Sequence, residues 1–431
     1  MRIAYVSAGA AGMLCGSCLH DNTLAAAIRR LGHDIALIPT YTPIRTDEED
    51  VSLGRPFYGA LNVYLQTRSS IVRRAPRFVH RILDHPALLR WASKIGSSTS
   101  AAELGELTLS VLMGEEGPSR LELERLVSWL RDSFKPEVVH LTNSMFLGLA
   151  GPLKRELGVP VICSVQGEDL FLDGLVEPYR ERVLDLLRRR AGDADAFIAT
   201  GEVYAKRMRE MLGIPEARMN VVRLGLNLAG QGGASVRRPP EPFVVGYLAR
   251  VCPEKGLHVL AKGFRELARK AGKERVFLRA AGYLGPKDRP WFTELRARIA
   301  EWGLDDRFEY LGEIDRAGKI GFLSGLDVLS VPATYPESKG LSVLEALANG
   351  VPVVQPRDGS FPEMIEATGG GVLFEPGSAE GLAAALGSLM EDPSGRRAMG
   401  ERGREAVHRL FSDEVMARET LKVYFAATCT S

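Results

Sequence analysis

The chain has 431 residues, with 55 Lys and Arg against 54 Asp and Glu, 45% hydrophobic residues and 25% charged ones. That length exceeds one ordinary domain of roughly 100–200 residues, the near-zero net charge excludes a general nucleic-acid binder or an acidic tail protein, and the composition excludes disorder over most of the chain. Five cysteines make no disulfide framework at this length and no apolar run reaches the ~20 residues that cross a bilayer, so a cytoplasmic protein is expected.

In chain order, residues 2–7 read as a strand, 8–16 as a glycine-rich loop, about 18–31 as a helix and 33–38 as a second strand. This is a βαβ unit, and hence parallel sheet with right-handed crossovers. Short apolar strands return at Val138–Leu141, Val159–Val165, Ala196–Thr200 and Asn220–Arg223, while about 66–133 reads as a purely helical insertion on one flank. From Gly225 to Pro242 the glycines and prolines (Gly230, Gly232, Gly233, Pro239, Pro240, Pro242) leave no hydrophobic period, which predicts an interdomain linker. The alternation then restarts, with strands at Phe243–Tyr247, Val276–Ala281, Phe308–Leu311, Val328–Val331 and Val351–Gln355. Helices are predicted at Gly256–Ala271, Pro290–Trp302 and Gly340–Asn349, and over most of 379–428 with a break at Phe411-Ser412-Asp413.

The pattern predicts an α/β protein of two doubly wound, Rossmann-like domains facing across a cleft. The N-terminal domain spans 1–228 with the insertion at about 66–133, the linker 229–242, the second domain 243–411, and a final helix 412–431. Open parallel sheets bind ligands outside the carboxyl ends of their strands, so two such edges suit a two-substrate reaction.

Several motifs carry chemistry. Gly9-x-x-Gly12-x-x-x-Gly16 lies between strand and helix. It lacks the dinucleotide spacing, and no acid stands at Ile38-Pro39-Thr40 to hold a ribose. It still lets an anion approach amides at a helix start; a plain tight turn is the competing reading. Within it, Cys15-x-x-Cys18 with His20 has the place of a redox thiol pair or a soft metal site. No second cysteine pair exists, so small residues beside a ligand explain it better and no metal is assigned. Between Gln66 and Arg90 stand six Arg and one acid, Asp84. Such a basic amphipathic segment suits weak peripheral contact with anionic lipid, against the simpler reading of a solvated face over a buried stripe.

The second half is more informative. Arg250 and Lys255 sit five apart at a strand-to-helix turn shaped by Pro253 and Gly256, an anion-attracting arrangement suited to a diphosphate, against the simpler reading, for the pair taken alone, of solvated salt-bridge partners. Glu337 precedes, and Glu345 lies within, a helix that starts at Gly340 and ends at Gly350. Eight helical residues span about 12 Å, the reach from the sugar of a nucleotide-sugar to its ribose, and a carboxylate accepts from both hydroxyls of a diol. The competing reading, preferred were the Arg250 and Lys255 pair absent, is an exposed loop acid at Glu337 and a Glu345 that caps a neighbouring helix.

Arg-x4-Lys-Gly followed by Glu-x7-Glu, with the Gly-Val-Pro-Val-Val strand after it, the glycine loop, the mid-chain linker and the long C-terminal helix, resembles the retaining family-4 glycosyltransferases of GT-B fold. The resemblance covers nearly the whole chain. It implies that Arg250 and Lys255 hold the donor diphosphate with amides near Gly340, Leu341 and Ser342. It further implies that Glu345 binds the ribose, Glu337 the donor sugar, and that Gly12 and Gly16 border the acceptor. In that family the final helix returns to the N-terminal domain. One departure is the family's histidine after a middle strand of the first domain, where this chain has Gln166; His20 or Asp169 are the residues placed to fill that gap. The expectation is a metal- and cofactor-independent retaining hexosyltransferase using a UDP- or GDP-sugar and a carbohydrate or lipid-linked acceptor. A sugar-nucleotide epimerase or hydrolase, and a non-catalytic nucleotide-sugar-binding protein, are the alternatives.

Overall fold

A computed structural model describes residues 1–9, 16–53, 101–232 and 242–430. Gly12, Cys15, the basic segment 66–90 and most of the predicted linker lie outside the described residues. The chain divides into two compact units, Met1–Gly225 with Asp413–Ser431, and Leu226–Ser412.

Unit 1 is a parallel sheet in the order β2-β1-β3-β4-β5-β6, with β1 at Arg2–Ser7, β2 at Asp34–Pro39, β3 at Val138–Leu141, β4 at Val161–Val165, β5 at Ala196–Ala199 and β6 at Met219–Val221. The first five are nearly continuous apolar runs because a parallel sheet is covered on both faces. Alternation sorts their side chains into two cores. Val6, Ile38, Val139, Cys163 and Phe197 meet one helical layer. Tyr5, Leu37, Val138 and Ile162 meet the other.

That second layer is made by α1, Gly16–Arg30, and by the last helix of the chain, Asp413–Thr430, which pack on each other. Leu24 and Ile28 of α1 and Met416, Leu421 and Tyr424 of the last helix share one core. The chain end therefore belongs to unit 1 because it completes, with α1, the core on one face of that sheet. The described part of the helical insertion contains α2, Ala101–Leu112, and α3, Arg120–Trp129.

Unit 2 is a second parallel sheet, in the order β12-β11-β10-β7-β8-β9. Its strands are β7 at Phe243–Leu248, β8 at Val276–Ala281, β9 at Phe308–Tyr310, β10 at Val328–Leu329, β11 at Val353–Pro356 and β12 at Gly371–Phe374. Among its helices are Leu257–Ala271, Arg289–Glu301, Arg316–Ser324, Leu341–Ala348, Phe361–Thr368 and Ala379–Glu391.

Three of these elements carry no strong sequence signal. The helix Arg316–Ser324 holds two glycines, and its start is fixed by the Asp315 side chain accepting from Gly318 N at 2.7 Å. Phe361–Thr368 has only eight residues and a proline in its first turn. β12 is a half-buried edge strand that follows two glycines.

Candidate functional site

In unit 2 the strand order reverses between β7 and β10, and an open α/β sheet binds ligands outside the carboxyl ends of its strands at that point. Arg250 and Lys255 follow β7, and Glu337 follows β10. Two features bring these loops together. The first is the turn Pro253–Lys255 ending at Gly256, whose φ is +76°. A Cβ there would stand 1.7 Å from the Pro332 carbonyl oxygen, so only glycine permits the approach. The second is Thr334 N, which donates to Glu254 O at 2.9 Å.

The result is a compact triad. The Lys255 ammonium donates to Tyr335 Oη at 2.6 Å and to Glu337 Oε2, and Tyr335 Oη donates to the same carboxylate oxygen at 3.0 Å. The amide of Lys339 donates to Glu337 Oε1 at 3.3 Å. Ser360 N, donating to Glu337 O at 2.7 Å, fixes the main chain beneath. Burial alone would raise the Glu337 pKa, but the Lys255 charge and the three hydrogen bonds outweigh it and hold the carboxyl below its usual range. Burial would likewise lower Lys255, yet Glu337 holds it above the ordinary lysine value. Burial, with Glu337 beside it, pushes the Tyr335 hydroxyl up to about 12. At neutral pH the triad is therefore a cation, a neutral donor and an acceptor-only carboxylate.

Arg250 is exposed and touches none of these groups by hydrogen bond. Gly340, with φ +62°, caps the helix Leu341–Ala348 and offers its first turn no side chain. The amides of Leu341 and Ser342 accordingly have no partner within the helix. Only Leu341–Glu345 of the Glu337–Glu345 stretch is helical. The 12 Å reach expected from eight helical residues is thus corrected to about 6 Å of helical rise plus a loop.

Glu345 Oε1 accepts from the Lys319 ammonium. Its backbone carbonyl accepts from Asn349 Nδ2 at 2.8 Å, and the same Nδ2 donates to Gln231 Oε1 at 2.5 Å. Tyr335 and Lys319 were not identified from the sequence. Tyr335 adjoins the acidic motif and was legible in principle. Lys319 sits 26 residues from Glu345 on a helix without a signal, and nothing local points to it.

In unit 1 the order reverses between β1 and β3. There Asp21, fully buried on α1, accepts from Tyr5 Oη at 2.6 Å, Ser7 Oγ at 2.7 Å, Thr142 Oγ1 at 2.6 Å and Gln166 Nε2 at 3.0 Å, with His20 Nδ1 at 3.3 Å. Burial would raise its pKa, but these partners, His20 first, hold it at about 2. Gln166 spends its amide donors on Asp21 and Thr142, while its Oε1 is buried without a partner. A cavity of ≈ 10 Å³, about one water's worth, is lined by His20, His140, Ser164 and Gln166 among others. Asp169 is held by Arg207 Nε at 2.6 Å and Tyr204 Oη at 3.2 Å. Gly16 is the exposed first residue of α1, and Cys18 is a buried core residue.

His140 lies deeper, in β3. It bonds Tyr424 Oη through Nδ1 at 2.6 Å and Ser164 Oγ through Nε2 at 2.7 Å, and stacks on Tyr5 with centroids 4.3 Å apart. Burial lowers its pKa to about 3, so it is neutral. Among the described residues no helix is long and apolar enough to cross a membrane.

Comparison with known proteins agrees with this architecture. Residues 22–225 match the glycosyl transferase 4-like domain, and 234–406 match glycosyl transferases group 1. WcaL of Escherichia coli, named for a role as a glycosyltransferase in colanic acid biosynthesis, is 27% identical over 63% of this chain and 66% of its own length, just under two thirds. The MMP α-(1→4)-mannosyltransferase of Mycolicibacterium hassiacum is 24% identical over 98% of both chains. Among solved structures, sucrose-phosphate synthase from Thermosynechococcus elongatus superposes with a TM-score of 0.73 at 18% identity, covering all of both chains. Anabaena HepE, in complex with UDP and glucose, gives 0.67 at 17% identity over 99% of this chain and all of its own. Both likenesses are of fold, and they identify the two Rossmann-like domains as those of the GT-B architecture. With a 4-like domain followed by a group 1 domain, the chain belongs to the family-4-type glycosyltransferases.

Proposed function

We propose that this glycosyltransferase moves a hexose from a nucleotide-diphosphate sugar, with retention and without a metal, to a glycan or lipid-linked acceptor. The observation that supports it is the grouping of Lys255, Tyr335 and Glu337 at the unit 2 switch point, just ahead of the helix start at Gly340, where no side chain takes the first amides. On this reading Glu337, ionised and acceptor-only, takes hydrogen bonds from donor-sugar hydroxyls. Lys255, Arg250 and the amides of Leu341 and Ser342 carry the diphosphate, and Glu345 takes the ribose.

The charge to be stabilised develops on the leaving diphosphate as the bond from its oxygen to the anomeric carbon breaks. Fixed cations and amides aimed at developing charge supply the largest share of such catalysis. Glu337, kept ionised by Lys255, has no proton to give. The acceptor hydroxyl is therefore expected to pass its proton to the departing phosphate oxygen as its own oxygen bonds the anomeric carbon on the same face. In HepE the name of the solved complex includes UDP-glucose, a donor of this class.

The test begins with thermal unfolding of the full chain against UDP-, GDP- and ADP-sugars. A donor at 100 times its Kd adds about 2.7 kcal/mol of stability. The stabilising donor is then incubated with candidate acceptors, and the anomeric configuration of the product is read by NMR. Failure of every donor to stabilise the chain would reject the reading. Release of nucleoside diphosphate at equal rates with and without acceptor would favour a hydrolase instead.

A further inference from the structure

The ribose-binding role of Glu345 is part of the reading above, and the inference here rests on it. One oxygen of that carboxylate is already committed. Oε1 accepts from Lys319, and the two side chains are 7% and 11% exposed. Oε2 accepts from no described residue.

Both ends of the pair are held from elsewhere. Lys319 stands in the second turn of the helix Arg316–Ser324, which is capped by Asp315 and tied down by Arg316 donating to the carbonyls of Asn227 and Ala229 at 2.8 and 2.9 Å. Glu345 is fixed through its backbone carbonyl by Asn349. A carboxylate gripped on one oxygen by an anchored ammonium keeps a single orientation, with the other oxygen fixed in direction. A flexible glutamate would have to be ordered by the ligand at an entropic cost.

We propose that Lys319 is a positioning residue. By holding Glu345 on Oε1 it presents Oε2 to a ribose hydroxyl, and so sets the preference of the site for a ribonucleoside diphosphate over its deoxy counterparts. Lys319 need not touch the nucleotide. Without it, a largely buried anion is left unpaired and turns toward water, away from the diol. A purely structural role would weaken all nucleotides alike; a positioning role weakens only those that carry the hydroxyl.

The experiment is calorimetric titration of the full chain with UDP, GDP and ADP and with their 2′-deoxy and 3′-deoxy forms. Loss of one hydrogen bond to a charged acceptor costs about tenfold in affinity or more, so the wild type should prefer one ribonucleotide by at least that factor over a deoxy form. Lys319→Met should narrow the preference to about threefold or less by weakening the ribonucleotide while the deoxy affinity stays nearly constant, and Lys319→Arg should retain most of it. Urea unfolding checks each variant, and Lys319→Gln carries the same comparison if the Met variant does not fold.

An unchanged ratio in Lys319→Met, or an equal loss on both nucleotides, overturns the proposal. So does a wild type that binds without discriminating. A wild type that binds none of the nucleotides rejects the nucleotide-sugar reading itself, and the positioning role with it.

Discussion

Replacing Lys255 by Met should cost stability as well as activity, and the structure lets the two be separated. The substitution leaves Glu337 with two hydrogen bonds, from Tyr335 Oη and Lys339 N, and no cation. Removing one member of a buried pair costs about 3–5 kcal/mol. Here the Lys255 side chain is 21% exposed, so a loss of about 2 kcal/mol is expected. Adding Glu337→Gln removes the stranded charge and should recover about half of that loss. Turnover should nevertheless stay about a hundredfold or more below wild type in both variants, because the charge proposed to face the leaving group is gone.

The sign with pH follows from Glu337. Its folded-state pKa lies below the ordinary value of 4.5, so the pair's stabilisation is complete above that pH and is lost as the solution is acidified through the folded pKa. The gap between wild type and Lys255→Met should therefore shrink in acid. Urea unfolding at neutral and acid pH, followed by the fluorescence of Trp291 and Trp302 in unit 2, with donor turnover measured in parallel, provides the check. A Lys255→Met protein as stable as wild type, or a double variant less stable than the single one, would refute the reasoning.

Two further outcomes are expected. His140, at about pKa 3 in the folded chain against 6.5 when unfolded, is neutral in the sheet but takes a proton once released, so stability is full above 6.5 and falls as the pH drops toward 3. The slope should approach about 1.4 kcal/mol per pH unit between about pH 6 and 4; unfolding of unit 1 across that range should show a shallower slope in His140→Asn, and an unchanged slope would dismiss the histidine as its source. Gly256→Ala forces a side chain into a left-handed turn and against the Pro332 carbonyl. It should destabilise unit 2 by about 2 kcal/mol or more and reduce turnover by separating Lys255 from Glu337; near-normal turnover would break the link between that close approach and the triad.

How much of this was legible in the sequence depends on the distance over which each contact acts. The alternation of apolar strands with helices predicted both sheets except the edge strand β12, because burial on two faces writes itself into runs such as the Phe-Val-Val-Gly-Tyr-Leu of β7 and the Val-Val-His-Leu of β3. The return of the chain end was readable only through family resemblance. Its cause is the core that Met416, Leu421 and Tyr424 complete with the sheet and α1, and Tyr424 also bonds His140 across 284 residues. Arg250, Lys255, Glu337 and Glu345 were singled out because they stand at short spacings around turns that glycine marks, and the structure brings Lys255 onto Glu337. Lys319 and Asp21 escaped because their partners come from other elements: Thr142 and Gln166 reach Asp21 from the ends of different strands. The weak elements escaped for a local reason, as Arg316–Ser324 depends on one aspartate cap rather than on a hydrophobic stripe.

The charge arrangement of unit 2 constrains how a diphosphate could be held. Each acid already has its own cation, Lys255 on Glu337 and Lys319 on Glu345, so neither pair offers net positive charge. Lys255, however, has three N–H donors, and among the described residues Tyr335 and Glu337 use two of them. The third can meet a phosphate oxygen without breaking the pair. One ammonium would then join the carboxylate assigned to the sugar with the phosphate that the sugar leaves. As negative charge grows on that phosphate its attraction for Lys255 rises, while Tyr335, neutral with its pKa at about 12, continues to donate to Glu337 and keeps the carboxylate satisfied. A lone lysine could not shift its charge toward the leaving group without abandoning its acid. The hydroxyl shared by both partners is what removes that conflict, and it gives a role to a tyrosine two residues ahead of Glu337.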